Sequence, residues 1–70
     1  MRRKPVVSTC LAGIGYAAAT QTLEVEFRSG RVYQYHGVGA EIVEQLMNAP
    51  SKGRFMNAHI RDVYRYTRIR

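Results

Sequence analysis

The residues of this chain best suited to chemistry are cations set among tyrosines, and the chemistry is contact with a polyanion. Lys52, Arg54, Arg61, Arg65, Arg68 and Arg70 stand in residues 51–70 against Asp62 alone, a net of +5 out of the chain's +6. Tyr64 and Tyr66 interleave with Arg65 and Thr67 in the same stretch. Cations neutralise phosphates and tyrosine rings stack on unpaired bases, so the pattern suits a nucleic acid with single-stranded parts. Pro50-Ser51-Lys52-Gly53-Arg54 adds free N–H groups at a helix start, beside two cations, as a further place for a phosphate. Each residue also has a plain structural use: Ser51 as a cap, Asn57 and Arg61 as ties to the sheet, Tyr64 and Tyr66 as seals of the core edge. The candidate nucleic-acid contacts are Ser51, Lys52, Gly53, Arg54, Arg61, Tyr64, Arg65, Tyr66 and Arg68.

Catalytic chemistry finds little to work with. A nucleophile needs a neighbouring base and an orienting acid. Cys10, His36 and His59 are present, yet neither histidine has a carboxylate near it in sequence. His59 reads as a partly buried structural histidine and His36 as a solvent-facing one. Two histidines and one cysteine make no metal site of known spacing. Gly13-x-Gly15 lacks the third glycine and the helix of a nucleotide fingerprint, so it punctuates a strand. The expectation is a non-enzymatic protein without catalytic residues, metal or cofactor.

Seventy residues make one domain with a thin core. The apolar fraction of 46%, with five tyrosines and two phenylalanines, is that of a globular chain. No apolar run reaches the ~20 residues of a membrane span, and residues 1–20 hold no secretory apolar segment. One cysteine allows no internal disulfide. A single cytoplasmic domain over residues 1–70 is expected, with a flexible basic terminus over about residues 1–6 and no membrane partner.

The elements that must position these residues begin with a hairpin. Leu23, Val25 and Phe27 alternate with Thr22, Glu24, Glu26 and Arg28, the period of a half-buried strand. Val32 to Tyr35 returns after Ser29-Gly30. A two-residue loop would demand positive φ at Ser29, whereas a three-residue loop, 28–30, demands it only at Gly30. The longer loop sets Phe27 opposite Arg31, Val25 opposite Tyr33 and Leu23 opposite Tyr35. Glu24, Glu26, Gln34 and His36 then share the other face, where the two glutamates repel phosphate. Residues 11–16 form a preceding strand, its glycines marking a bend or a close backbone approach. Ile42, Val43, Leu46 and Met47 recur at helical spacing, and Ala49-Pro50 ends that helix. Ser51 caps a second helix from 52 to 60 or 61, with Phe55, Met56, His59 and Ile60 inward. From Asp62 the chain is extended, adding a short strand or lying across the sheet. The expected fold is α+β: a three-stranded antiparallel meander packed by two C-terminal helices, with an extended C-terminal tail. Its core is Leu23, Val25, Phe27, Tyr33, Tyr35, Ile42, Leu46, Phe55 and Ile60.

Several blocks together resemble the KTSC domain. They are Ile14-Gly15-Tyr16, Thr20-Gln21-Thr22-Leu23-Glu24-Val25-Glu26-Phe27, Tyr33-Gln34-Tyr35 and Asn48-Ala49-Pro50-Ser51-Lys52-Gly53, then Asn57, His59-Ile60-Arg61-Asp62 and Tyr64. The resemblance spans about residues 8–69. It implies a small bacterial domain of a kind also found at the C-terminus of some lysyl-tRNA synthetases, and from that setting RNA as a partner, tRNA-like or single-stranded. The sequence departs from the family at Ala17, where Asp is usual, at Gly39, where Pro is usual, and at Phe55-Met56, where a Tyr-Phe pair is usual. The last departure favours packing over a polar role at those two positions.

Beside an enzyme with an unrecognised small site, which the residues disfavour, two functions stay open on the sequence. One is an RNA-binding module using the second helix and the C-terminal tail rather than the tyrosine hairpin. The other is a protein–protein interaction module that meets an acidic partner through its sheet face or an edge strand.

Overall fold

Five antiparallel strands lie side by side in chain order: β1 (Lys4–Pro5), β2 (Leu11–Ala17), β3 (Thr22–Phe27), β4 (Val32–His36) and β5 (Tyr66–Arg68). They belong to a computed structural model that describes residues 3–70. The sheet thus has five strands rather than the expected three. The two outer ones run for two and three residues and are exposed throughout, so they carry no hydrophobic alternation to read. Lys4–Pro5, within the stretch expected as a flexible terminus, pair with Ile14 and Gly13. Tyr66, Thr67 and Arg68 pair with Tyr35, Gln34 and Tyr33, so the extended tail becomes the fifth strand.

The β3–β4 hairpin has the register that burial demands. Gly30 takes φ +94°, its N–H bonds the Phe27 carbonyl at 2.9 Å, and the Phe27 N–H bonds the Arg31 carbonyl at 2.9 Å. Leu23 faces Tyr35 and Val25 faces Tyr33. A slip of one residue would move Leu23 and Val25 out of the core. Ile14 and Tyr16 pair with Val25 and Leu23 and so join the same face. The opposite face carries Gly13 and Gly15 beside Glu26 and Glu24. A side chain at Gly13 would meet Arg3 Cβ and the Lys4 carbonyl at 3.4 Å, so this glycine serves a close approach.

Two helical segments cover the first face. The helix α1 (Ala40–Asn48) buries Leu46 and half-buries Ile42, Val43 and Met47. It stops at Ala49, which is extended ahead of Pro50. The helix α2 (Lys52–Phe55) begins at Ser51, whose hydroxyl accepts the Arg54 N–H at 3.4 Å. The expected single helix does not continue from there as α. Met56–Ile60 widen into a π-helical turn, closed by the Arg61 N–H on the Met56 carbonyl at 2.8 Å. Each residue of a wider turn sweeps a smaller angle, so the α-helical face no longer holds. Met56 and Ile60 are buried, whereas His59, expected inside, is exposed with its ring 4.6 Å from that of Phe55.

The core is Leu11, Ile14, Leu23, Val25, Tyr35, Val38, Leu46, Met56 and Ile60. Of the expected set, Phe27, Tyr33, Ile42 and Phe55 are only partly buried. Phe27 and Tyr33 lie at the hairpin end of the sheet, where a surface groove opens instead of a helix closing over them.

Candidate nucleic-acid interface

The placement of the acids organises the charge of the molecule. Among the described residues, every ion pair runs between Arg3 or Arg70 and Glu24 or Glu26. Arg3 spans both glutamates, binding Glu24 through Nη1 and Glu26 through Nε at 3.2 Å. Arg70 binds Glu26 at 3.2 Å, and the Gln34 amide donates to Glu24 at 2.9 Å. The absence of a side chain at Gly13 lets Arg3 pass close to the sheet. Burial resists ionisation of Glu24, which is only 2% exposed, but the Gln34 and Arg3 donors and the Arg3 charge outweigh it. Its carboxyl is held below the usual carboxylate value. The face expected to repel phosphate is therefore neutralised by its own arginines.

Arg28 and Arg31 flank the hairpin turn, and Lys52, Arg54 and Arg61 stand in or directly after the helical segments. Arg28 Nε donates to the Ser8 carbonyl at 2.7 Å, and the Arg28 N–H to the Cys10 carbonyl at 2.9 Å. These bonds dock the hairpin tip on residues 8–10. Cys10 in turn packs on Gly53, where a Cβ would sit 3.3 Å from its sulfur. The start of α2, the loop before β2 and the hairpin tip thus meet, although they are distant in sequence.

The expected contacts do not form one surface patch. Ser51 and Lys52 line a groove shared with Thr9 and Arg28. Ser51 works as a cap, and the Lys52 ammonium bends back to the Ala49 carbonyl at 3.4 Å. Gly53 is packed against Cys10, and Arg54 stands exposed beside Phe55 and His59. Arg61, Tyr64, Arg65 and Tyr66 come together along a second groove, with Asp62 among them. Arg61 bonds its helical neighbour Asn57 at 3.4 Å, and Tyr64 packs partly into the core. Tyr66 is 58% exposed and stacks on Tyr33, with centroids 5.3 Å apart and planes at 20°. Arg68 pairs across from Tyr33, while the Arg65 carbonyl accepts the His36 N–H, which sets the two arginines apart. His36 is exposed, with Nε2 2.9 Å from the Thr67 hydroxyl.

A third groove joins Arg61 to residues that the sequence reading left aside. Thr9, Cys10, Phe27, Arg28, Arg31 and Tyr33 line it with Arg61, and it encloses about 340 Å³. Arg28 and Arg31 bracket the turn in sequence, which is the signal that could have found them. Charge counting by segment hid them, because Glu24 and Glu26 stand in the same stretch of sequence and cancel them. Burial pushes the Tyr35 hydroxyl up, and the Arg61 charge opposes that rise. No cluster of three or more His, Cys, Asp or Glu residues forms among those described, and no helix there is long and apolar enough to cross a membrane.

Comparison with known proteins agrees with the fold. A protein of Stutzerimonas stutzeri is 43% identical over 70 residues, covering 99% of both chains. The lysine–tRNA ligase of Trichormus variabilis is 43% identical over 54 residues, which are 77% of this chain and only 10% of the ligase. The crystal structure of a KTSC domain protein from Yersinia pestis superposes with a TM-score of 0.95 at 36% identity, covering 99% of this chain and 97% of that one. A sequence model of the KTSC domain matches residues 7–64, so this chain belongs to the KTSC domain family.

Proposed function

We propose that this protein is a non-enzymatic nucleic-acid-binding module that takes RNA on the surface running from the start of α2 through Arg61 to the C-terminal strand. One observation carries the reading: the acids Glu24 and Glu26 are paired by Arg3 and Arg70, and Arg28, Arg31, Arg61 and Arg65 have no acidic partner in an ion pair among the described residues. Glu41 and Glu44 lie apart on α1 and Asp62 lines the Arg61 groove, so the surplus of positive charge is local to Arg28, Arg31 and Arg61, and a local surplus of this kind is the footprint of a polyanion binder. Tyr66, exposed and braced by Tyr33, supplies an aromatic surface beside it. The segment of lysine–tRNA ligases that matches this chain belongs to enzymes that handle transfer RNA, which supports RNA over other polyanions.

Fluorescence anisotropy of labelled single-stranded RNA, transfer RNA and duplex DNA at several salt concentrations tests it. Affinity should fall linearly on a log–log plot as salt rises, because the counterions that binding releases enter a more concentrated solution. Replacing Arg61 and Arg65 together by Gln should reduce the magnitude of the single-strand slope by about 1.4, from ~0.7 per phosphate contact. Binding that ignores salt, or a double variant equal to the parent, would remove this surface from consideration.

A further inference from the structure

We infer that the groove between the hairpin tip, residues 9–10 and Arg61 seats one unpaired nucleotide, with its base on Phe27 and Tyr33 and its phosphate on Arg28, Arg31 and Arg61. The inference rests on the nucleic-acid reading above and names the part of the ligand that the site would recognise. The volume of about 340 Å³ lies at the small end of ligand sites, room for a single nucleotide rather than a helical segment.

The floor and the rim have complementary chemistry. Phe27 and Tyr33 are partly buried and meet edge to face, with centroids 5.6 Å apart. Tyr66 stacks on Tyr33, so the tyrosine ring is fixed before any ligand arrives and little ordering entropy is lost on binding. An aromatic floor is the surface on which a base stacks, at about 1–3 kcal/mol per base by alanine substitution. Around it stand three guanidinium groups, and no carboxylate lines the groove. Arg28 is held by its Nε on the Ser8 carbonyl, which leaves its terminal nitrogens for a phosphate. Arg31 and Arg61 are exposed. Three like charges about one small groove repel each other, and an anion in the middle relieves that repulsion. The hydroxyls of Thr9 and Ser29 lie on the lip, within the same lining, as partners for sugar or base edges.

The geometry selects among polyanions. Bases in a duplex are stacked on their neighbours and reach no groove of this size, so single strands and loops are favoured. An acidic peptide offers carboxylates for the arginines but nothing that needs an aromatic floor.

Cys10 gives a direct readout, because it is the chain's single cysteine, is exposed, and lines the groove. Alkylation by iodoacetamide, followed by intact mass, reports whether the groove is filled. Octauridylate at ten times its dissociation constant should slow alkylation about tenfold, in proportion to the empty fraction. A fully paired RNA duplex, or polyglutamate, at equal saturation should leave the rate near that of the free protein. Tyr33→Phe should keep the protection, and Tyr33→Leu should weaken it while thermal melting shows the fold intact. If octauridylate binds with salt sensitivity but Cys10 reacts at the free rate, the groove is overturned and the broader surface stands. Equal protection by the duplex or by polyglutamate also overturns it. If no nucleic acid binds at all, the proposed function falls first and this inference falls with it.

Discussion

Glu24 shows how one residue can serve a fold while appearing to oppose a function. A buried carboxylate costs free energy unless donors surround it, and here Gln34 and Arg3 supply them. Its folded-state value lies below the ordinary one. The stabilisation is therefore complete above the unfolded carboxyl value of about 4.3 and is lost as pH falls through the lower folded value. Thermal melting should show stability declining below about pH 4.3, and Glu24→Gln should flatten that decline. The same substitution should cost about 1–3 kcal/mol at pH 7, by removing the charge and setting an NH2 group against the Arg3 or Gln34 donor. If the acid sensitivity survives unchanged in the variant, its origin lies elsewhere. The alternation of β3 was enough to put Glu24 on the face of Gln34. Its partner Arg3 was not legible, since it stands 21 positions away in a segment with no hydrophobic period.

At the scale of elements, the hairpin is the part that the sequence specifies most tightly, because burial and turn chemistry agree on one register. Gly30 carries the turn at φ +94°, with open space around the position of a Cβ. Gly30→Ala therefore has no clash to pay for and should cost only the backbone strain of positive φ, about 1–2 kcal/mol in a denaturant titration. A neutral result would mean that the loop relaxes to another turn and that the register has a second support. Ala49-Pro50-Ser51 was equally legible, because proline ends one helix and serine starts the next by local rules alone. The π turn at Met56–Ile60 follows no such rule. It satisfies the packing of Met56 and Ile60, a tertiary demand that residue preferences do not record, and His59 moved outward with it. The outer strand β1 was lost to inspection because it is two residues long and exposed, whereas β5 was one of the two courses open to the extended tail, and its choice rests on tertiary contacts such as Tyr66 on Tyr33.

At the scale of the whole molecule, net charge was readable from composition, but which cations stay free depends on the topology that pairs the rest. Arg70 belongs to the basic C-terminal run in sequence, yet in the fold it bonds the Gly30 carbonyl at 3.1 Å and Glu26 at 3.2 Å. Arg28 and Arg31 belong to a segment that is nearly neutral by count, yet they flank the aromatic groove with no acidic partner among the described residues. The segment tally thus favours the second helix and the C-terminal tail, whereas the pairing in the fold adds the hairpin arginines as candidates. Salt dependence separates the two assignments. With single-stranded RNA, Arg28→Gln combined with Arg31→Gln should reduce the log–log slope by about 1.4. Arg70→Gln should leave the slope at the parent value, because that charge is already answered by Glu26. Its stability cost should be small, since an exposed pair contributes at most about 1 kcal/mol. Arg70 sits beside the hairpin tip, so the contrast is stringent: proximity alone would make all three arginines count alike. A slope that drops as much for Arg70→Gln as for each hairpin arginine would mean that phosphates follow total charge, and that the pairing of Glu26 does not shape the surface RNA meets.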